Sequence, residues 1–310
     1  MARQKTSDRL NPAYYNLPTA VMDLKMPCRQ QKKDRMTSLK FELIAELKLF
    51  TRKKTNEKRQ AKYLQACKTL KSRLVSQGKQ AEAKEIWCLE NALLAQNMYI
   101  KFINLLRREK FYKAWCLLEQ CEITLGNLKR HFPQMLSQEV YLDFLYHQVP
   151  LWQEVFPYRI FNSTEFLEKK ILCSTCKSPI TPRKFCGHDK GEIYDGEICY
   201  RIIEDFEIVG FAMVKNPVNK YSVPFKTDEN GKTVDHYDYK CIKMIIRELP
   251  TLFYWWEINK TFDWHRRIDF TETLPDDICP CGADRLFKDC CSSKPAILTP
   301  HIEIVPLRKC

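Results

Sequence analysis

The stretch Cys279-Pro-Cys281-Gly-Ala-Asp-Arg-Leu-Phe-Lys-Asp-Cys290-Cys291 constrains the fold more than any other part of the chain. Its four cysteines are spaced C-x-C-x8-C-C, with Gly282 directly after the second. Thiolates this close repel one another unless a cation holds them or oxidation joins them in pairs. Four sulfurs from two knuckles match the tetrahedral all-sulfur cage that Zn2+ favours. A disulfide framework is the rival, but it belongs to small secreted scaffolds rather than to a lysine-rich chain of 310 residues. Cys279, Cys281, Cys290 and Cys291 are therefore expected to ligate zinc.

A second donor group precedes it. Cys173-Ser-Thr-Cys176 is a C-x2-C knuckle, and Cys186-Gly-His188 completes the pattern C-x2-C-x9-C-x-H. Such a turn brings two sulfurs and nearby backbone N–H groups to one ion, and the broken loop between, with Pro179 and Pro182, has no core of its own. The expectation is a second zinc on Cys173, Cys176, Cys186 and His188; the rival is chance clustering, with Cys199 as a substitute ligand. A catalytic zinc keeps one position open beside a general base. Four protein ligands close the sphere, the order H-x-E before C-x2-C is not found, and H-E-x-x-H is absent. Both sites read as structural.

The C-terminal stretch resembles the SEC-C motif, the small zinc-binding tail of the SecA preprotein translocase that recurs at the ends of many bacterial proteins. The resemblance rests on the cysteine spacing, Pro280, Gly282 and the basic-aromatic run Arg285, Phe287, Lys288. Ala283 and Asp284 stand where Ser-Gly is usual, and a positive φ is better tolerated by Asp284 than by most residues. From Cys173 onward the Cys-Gly-His knuckle, Tyr237-Asp238-Tyr239 and Pro300-His301 also resemble SEC-C-containing proteins. The resemblance implies a bacterial, metal-binding protein and brings no activity and no particular partner. Four thiolates on one Zn2+ leave a net −2, which Arg285, Lys288 and Lys294 are placed to offset.

Charge divides the chain. Residues 1–150 hold 28 Lys+Arg against 14 Asp+Glu, while residues 151–310 hold 23 against 24, so the formal +13 belongs to the first half. A surface of that sign attracts nucleic acid, anionic lipid or an acidic protein. No apolar run is long enough to span a bilayer, and Met1–Leu10 lacks the apolar core of a signal peptide. With fifteen cysteines this points to a reducing, cytoplasmic setting. The cysteines outside the two groups (Cys28, Cys67, Cys88, Cys116, Cys121, Cys199, Cys241 and Cys310) read mostly as small buried hydrophobes.

The fold class expected is α+β and multi-domain: an N-terminal tetratricopeptide-like helical bundle, a central zinc-ribbon and β region, and a C-terminal SEC-C zinc module. Residues 1–36 read as a basic flexible arm, either a solvated tail or a segment that orders on a partner. Residues 37–150 read as the bundle. Ser38 is placed to cap a first helix; a second ends at Gly78, a third runs from Gln80 to Leu106, and a fourth from Phe111 to Gly126. Leu74-Val75…Gly78-Lys79…Ala83…Ile86 lines up with Leu105-Leu106…Glu109-Lys110…Ala114…Leu117, the basis of the tetratricopeptide-like reading. Met135 to Leu145 adds one more amphipathic helix.

Residues 151–230 read as the zinc knuckle with strands around Ile198–Ile202 and Ile208–Met213, turning at Gly196, Glu204-Asp205 and Asn216-Pro217. Residues 231–274 read as a helix over Tyr239–Trp256, kinked at Pro250, followed by an aromatic-basic linker. Its Trp255–Arg267 segment either stacks bases or clamps the second zinc module onto the β region. Residues 275–310 form the zinc module and tail, with His301, Ile302 and Ile304 in a strand.

Two zinc sites and a basic bundle point to a non-enzymatic adaptor that meets an acidic protein partner. Arg52, Lys53, Lys54, Lys58, Arg59, Arg107, Arg108, Lys110, Arg266 and Arg267 are the candidate contacts. The same residues suit nucleic acid as the alternative partner. A cryptic hydrolase or nuclease is the third reading, with no spaced carboxylate set, nucleophile elbow or phosphate-cradling glycine loop to carry it.

Overall fold

The computed structural model describes residues 35–52, 57–249, 251, 253–283 and 285–309. The expected arm lies outside them up to residue 34, as do Lys53, Lys54, Pro250, Asp284 and Cys310. Six helices come first: α1 (Arg35–Lys48), α2 (Glu57–Ser76), α3 (Gln80–Arg107), α4 (Phe111–Lys129), α5 (Gln134–Glu139) and α6 (Leu142–Val155). Five short or long strands follow, β1 (Phe161–Cys173), β2 (Pro179–Ile180), β3 (Ile193–Tyr194), β4 (Glu197–Ile198) and β5 (Arg201–Val214). Next come β6 (Lys226–Thr227), β7 (Thr233–Val234), α7 (Lys240–Glu248), β8 (Tyr254–Arg266) and β9 (Ala296–Lys309). The chain is thus mixed helix and strand. Among the described residues no helix is long and apolar enough to cross a membrane.

α3 is the axis of the helical half. Trp87, Leu93, Ala95, Tyr99, Phe102 and Leu106 bury different sides of it, as expected of a helix packed all round. It serves as second helix of the α2–α3 pair and first of the α3–α4 pair, so the two sequence copies share one element. Tyr99 sits among Phe50, Phe102 and Phe144, and Trp152 Nε1 donates to its hydroxyl at 3.0 Å. Fully buried Gln96 donates to the carbonyls of Leu47 and Val140 at 3.0 and 2.7 Å, tying α1 and α5 to α3.

That last bond corrects one expectation. The single helix expected over Met135–Leu145 is broken into α5 and α6, with Tyr141 between them at φ +59°. The Val140 carbonyl is turned to the Gln96 side chain instead of continuing a helical ladder. Ser38 is likewise no cap: α1 begins a turn earlier, and the Ser38 hydroxyl bonds Glu42 at 3.2 Å.

Two long antiparallel ribbons project from the helical half. β1 pairs with β5 from Phe161↔Val214 to Cys173↔Arg201, with β2 added at its far end. β8 pairs with β9 from Tyr254↔Lys309 to Arg266↔Ala296. The expected turn at Glu204-Asp205 does not form. The strand runs through, and the ladder shifts register there, so the polar pair marks a bulge. Nor does a helix reach Trp256: α7 ends at Glu248, and Trp255 and Trp256 belong to β8. Trp256 is fully buried against Trp152, and Trp255 packs on Phe144 and His147. The aromatic segment therefore seats its ribbon on α6 rather than clamping a metal module to the β region.

Candidate metal centres

Each ribbon ends in a loop that carries one donor group. The first loop leaves β1 at Cys173 and re-enters at Arg201; the second leaves β8 at Arg266 and re-enters at Ala296. Cysteine-rich tips on paired strands are positioned by the ladder itself, because the final register fixes where both chain ends emerge.

In the first loop the ligand atoms of Cys173, Cys176, Cys186 and His188 all lie within 4.8 Å of one another. The knuckle closes because Lys177 takes φ +59° and returns its N–H to the Cys173 carbonyl at 2.9 Å. Burial pushes the Cys173 thiol up, but N–H groups of Cys176 and Thr175 together with neighbouring thiols outweigh it, bringing it down to about 6. His188 Nδ1 is buried without a hydrogen-bond partner, while its ring meets Tyr194 edge-on at 4.6 Å. A buried imidazole nitrogen with no hydrogen-bond partner, on a ring that brings a nitrogen within 4.8 Å of three sulfurs, fits a residue that ligates a metal ion. Cys199 lies 3.8 Å from the Cys173 sulfur but is not one of the four mutually close donors.

In the second loop Cys281 and Cys290 sulfurs are 3.5 Å apart, and those of Cys290 and Cys291 3.7 Å. A disulfide would need about 2.05 Å. A tetrahedral ion at the usual metal–sulfur length of ~2.3 Å sets its sulfurs ~3.8 Å apart, close to what is found. Gly282 stands at φ +78°, and a Cβ there would meet Pro300 Cγ at 3.2 Å. Phe287 and Ile297 bury Cys279 and Cys291 in a small core of their own. Burial raises the Cys279 thiol to about 12. Burial acts the same way on Cys281, but the other cysteines and the Ala283 N–H outweigh it and hold it at about 7. Arg285 donates to the Cys290 sulfur at 3.4 Å, whereas Lys288 pairs with Asp276 at 2.6 Å instead of facing the sulfurs.

The first loop is docked on the helices, a relation no sequence pattern announced. Lys71 on α2, side chain 5% exposed, bonds both Glu90 on α3 and Glu197 on β4 at 2.6 Å. Gln80 exchanges two hydrogen bonds with Asp195, Arg130 pairs with Glu192 at 2.8 Å, and His131 bonds the Gly191 carbonyl at 2.7 Å. Glu119, Glu122 and Lys220 form a second half-buried charge group, joined by Gln153. The long sequence separations within both groups left no signal in either case.

The basic residues fall into two places. Antiparallel pairing of α2 and α3 sets Lys101 3.3 Å from Glu57, so the start of α2 and the end of α3 share one end of the bundle. Arg52, Lys58, Arg107, Arg108 and Lys110 gather there, and none has an ion pair among the described residues. Arg59 sits there too but pairs with Glu46 and lies over the Tyr63 ring. Arg266 and Arg267 are at the second ribbon's tip, the first paired with Asp269 at 3.6 Å and the second over Phe287. No protein-family model, no curated protein and no solved structure matches this chain.

Proposed function

We propose that the chain is a zinc-binding, non-enzymatic adaptor with two structural zinc sites and a basic helical surface for an acidic protein partner, working in the cytoplasm. The observation that carries the metal reading is the closeness of both donor sets, three thiols with an imidazole and four thiols, the ligand atoms of each set within 4.8 Å of one another. Sulfur-rich tetrahedral sets suit Zn2+ and leave no position for water or substrate. On its C-P-C-G…C-C spacing we read the second loop as a SEC-C-like module, and on their repeated turn we read α2–α4 as tetratricopeptide-like. Elemental analysis of the purified chain tests the metal reading: two zinc ions per chain are expected, falling to one in Cys281→Ser and in Cys176→Ser. Fewer than two in the unmutated protein overturns it.

Nucleic acid is the second reading, favoured by five cations at one end of the bundle that have no ion pair among the described residues. Binding through phosphates falls steeply with salt. Recovery of partners from cells with and without nuclease treatment separates the two readings, and absence of any DNA or RNA shift in dilute buffer removes the second.

A further inference from the structure

The β1–β5 ribbon carries an apolar face that no other part of the described chain covers. Its ladder aligns Asn162 with Met213, Thr164 with Phe211, Phe166 with Ile208 and Glu168 with Phe206, so these residues share one face. Phe166 and Phe206 meet edge to face at 5.9 Å. Phe166, Phe206, Ile208, Phe211 and Met213 are nonetheless 44%, 53%, 52%, 78% and 66% exposed, and none joins either hydrophobic core. Scattered apolar side chains are ordinary, but five contiguous ones on a protruding ribbon are not. A bare two-stranded ribbon is also marginal in water, so this one gains from a cover.

Charge indicates what the cover is. The ribbon pairs its own lysines, Lys169 with Glu207 at 2.7 Å and Lys170 with Glu204, and Glu168, opposite Phe206 at one end of the patch, is the single charge among the eight residues of the face. A face that is apolar apart from one terminal carboxylate is complementary to itself, the twofold arrangement keeping the two carboxylates at opposite ends. We infer that this face packs on the same face of a second copy of the chain, two ribbons stacking as the layers of a small sandwich about a twofold axis. The Phe166–Ile208 pair lies in the middle of the patch, so that axis sets the Phe211 end of one copy over the Phe206 end of the other. At ~200 Å² per aromatic side chain the five residues expose on the order of 500 Å². A symmetric pair therefore buries about 1,000 Å² from these side chains alone, the threshold for a specific interface.

Sedimentation equilibrium of the full, metal-loaded chain tests this. A dimer is expected at ~50 µM, with Ile208→Lys raising its dissociation constant by ~10-fold or more. Phe211→Thr, which keeps strand propensity and guards against a variant that fails to fold, is expected to act in the same direction. Leu167→Lys, equally exposed but on the opposite face, is expected to leave the constant unchanged. A monomeric wild type overturns the proposal, whatever else covers the face. So does a dimer indifferent to Ile208→Lys and Phe211→Thr, or one equally weakened by Leu167→Lys. Metal content, measured on the same samples, is independent of each of these outcomes.

Discussion

Gly78 and Glu109 occupy the same position in two successive helix–helix turns, both left-handed, at φ +71° and +53°. The hydrogen bonds around them repeat with the residue numbers shifted: Lys79 N–H to Leu74 and Lys110 N–H to Leu105, both 2.9 Å, then Ala83 to Lys79 and Ala114 to Lys110. Glycine adopts this backbone freely, and a side chain there costs ~1 kcal/mol. Glu109 also pairs with Lys243 on α7 at 2.8 Å, an exposed bridge worth ~0–1 kcal/mol. Gly78→Ala is expected to destabilise the fold by ~1 kcal/mol, whereas Glu109→Gly is expected to be neutral or stabilising by less than ~1 kcal/mol. Urea unfolding of the two variants checks the contrast.

That pair of turns was legible because the 31-residue offset repeats small and apolar residues at positions that face inward. The two donor groups were legible for a different reason, since sulfur spacing encodes ligand geometry almost without reference to the rest of the fold. Of the ribbons, one strand each was legible, the alternation over Ile208–Met213 in β5 and His301, Ile302 and Ile304 in β9, while their partners β1 and β8 were not. Phe161–Cys173 mixes Glu165, Glu168, Lys169 and Lys170 with Phe166 and Leu167, and its central residues are exposed on both faces. A strand with no buried side has no hydrophobic alternation to read. Trp255–Arg267 hid its strand similarly, because only its first residues reach the core. Lys71 gave no signal because its partners Glu90 and Glu197 come from separate segments, the second of them remote.

Lys71 ties the helices to the first donor loop, and its two carboxylates are unequal. Glu90 is 12% exposed and Glu197 69% exposed at the side chain. Burial raises the Glu90 carboxyl, and Lys71 opposes that shift. Lys71→Ala would leave Glu90 buried without its cation, a loss of ~3–5 kcal/mol. Glu197→Gln removes only a solvent-screened partner and is expected to cost ~1 kcal/mol or less. A comparable loss in the two variants would contradict this division.

Metal removal should be felt differently at the two tips. The first loop lies on α2, α3 and α4 through Glu197, Asp195, Glu192 and Gly191, so losing its ion frees contacts on the helical half. The second loop has its own small core around Phe287 and Ile297. Hydrogen exchange is expected to show Cys176→Ser deprotecting the α2–α3 turn as well as the loop. Cys281→Ser should deprotect residues 267–295 and leave the helices unchanged. Equal, purely local effects would show that the first loop's docking does not depend on its metal.

Glu119 supplies a pH signature. Burial raises its carboxyl above the ordinary value, the Lys220 charge opposing, so the folded protein holds this proton more tightly than the unfolded chain. The stability this group contributes is fully present below the unfolded carboxylate value and is lost as pH rises through the folded one. Glu119→Gln cannot titrate. Relative to wild type with the same metal content, the variant is expected to gain stability between about pH 4.5 and pH 7.5. Paired urea titrations at the two values measure the difference, and a variant that loses ground as pH rises would reverse the assignment.

Gly282 is held by two constraints that can be separated. Its φ of +78° follows the second ligand of the C-x-C knuckle, and its bare Cα face packs on Pro300 of β9, where a Cβ would come within 3.2 Å of Cγ. An added methyl meets both the backbone penalty, ~1 kcal/mol, and a crowded ring. Gly282→Ala is expected to weaken metal retention at Cys279, Cys281, Cys290 and Cys291 by ~10-fold or more while sparing the first site. Adding Pro300→Ala removes the crowding and leaves the backbone strain. The double variant should therefore recover part of the loss and not all of it. Competition with a chromogenic chelator, read separately for each site in Cys176→Ser and Cys281→Ser backgrounds, resolves the two contributions. Full recovery in the double variant would assign the requirement to packing alone, and none would assign it to φ.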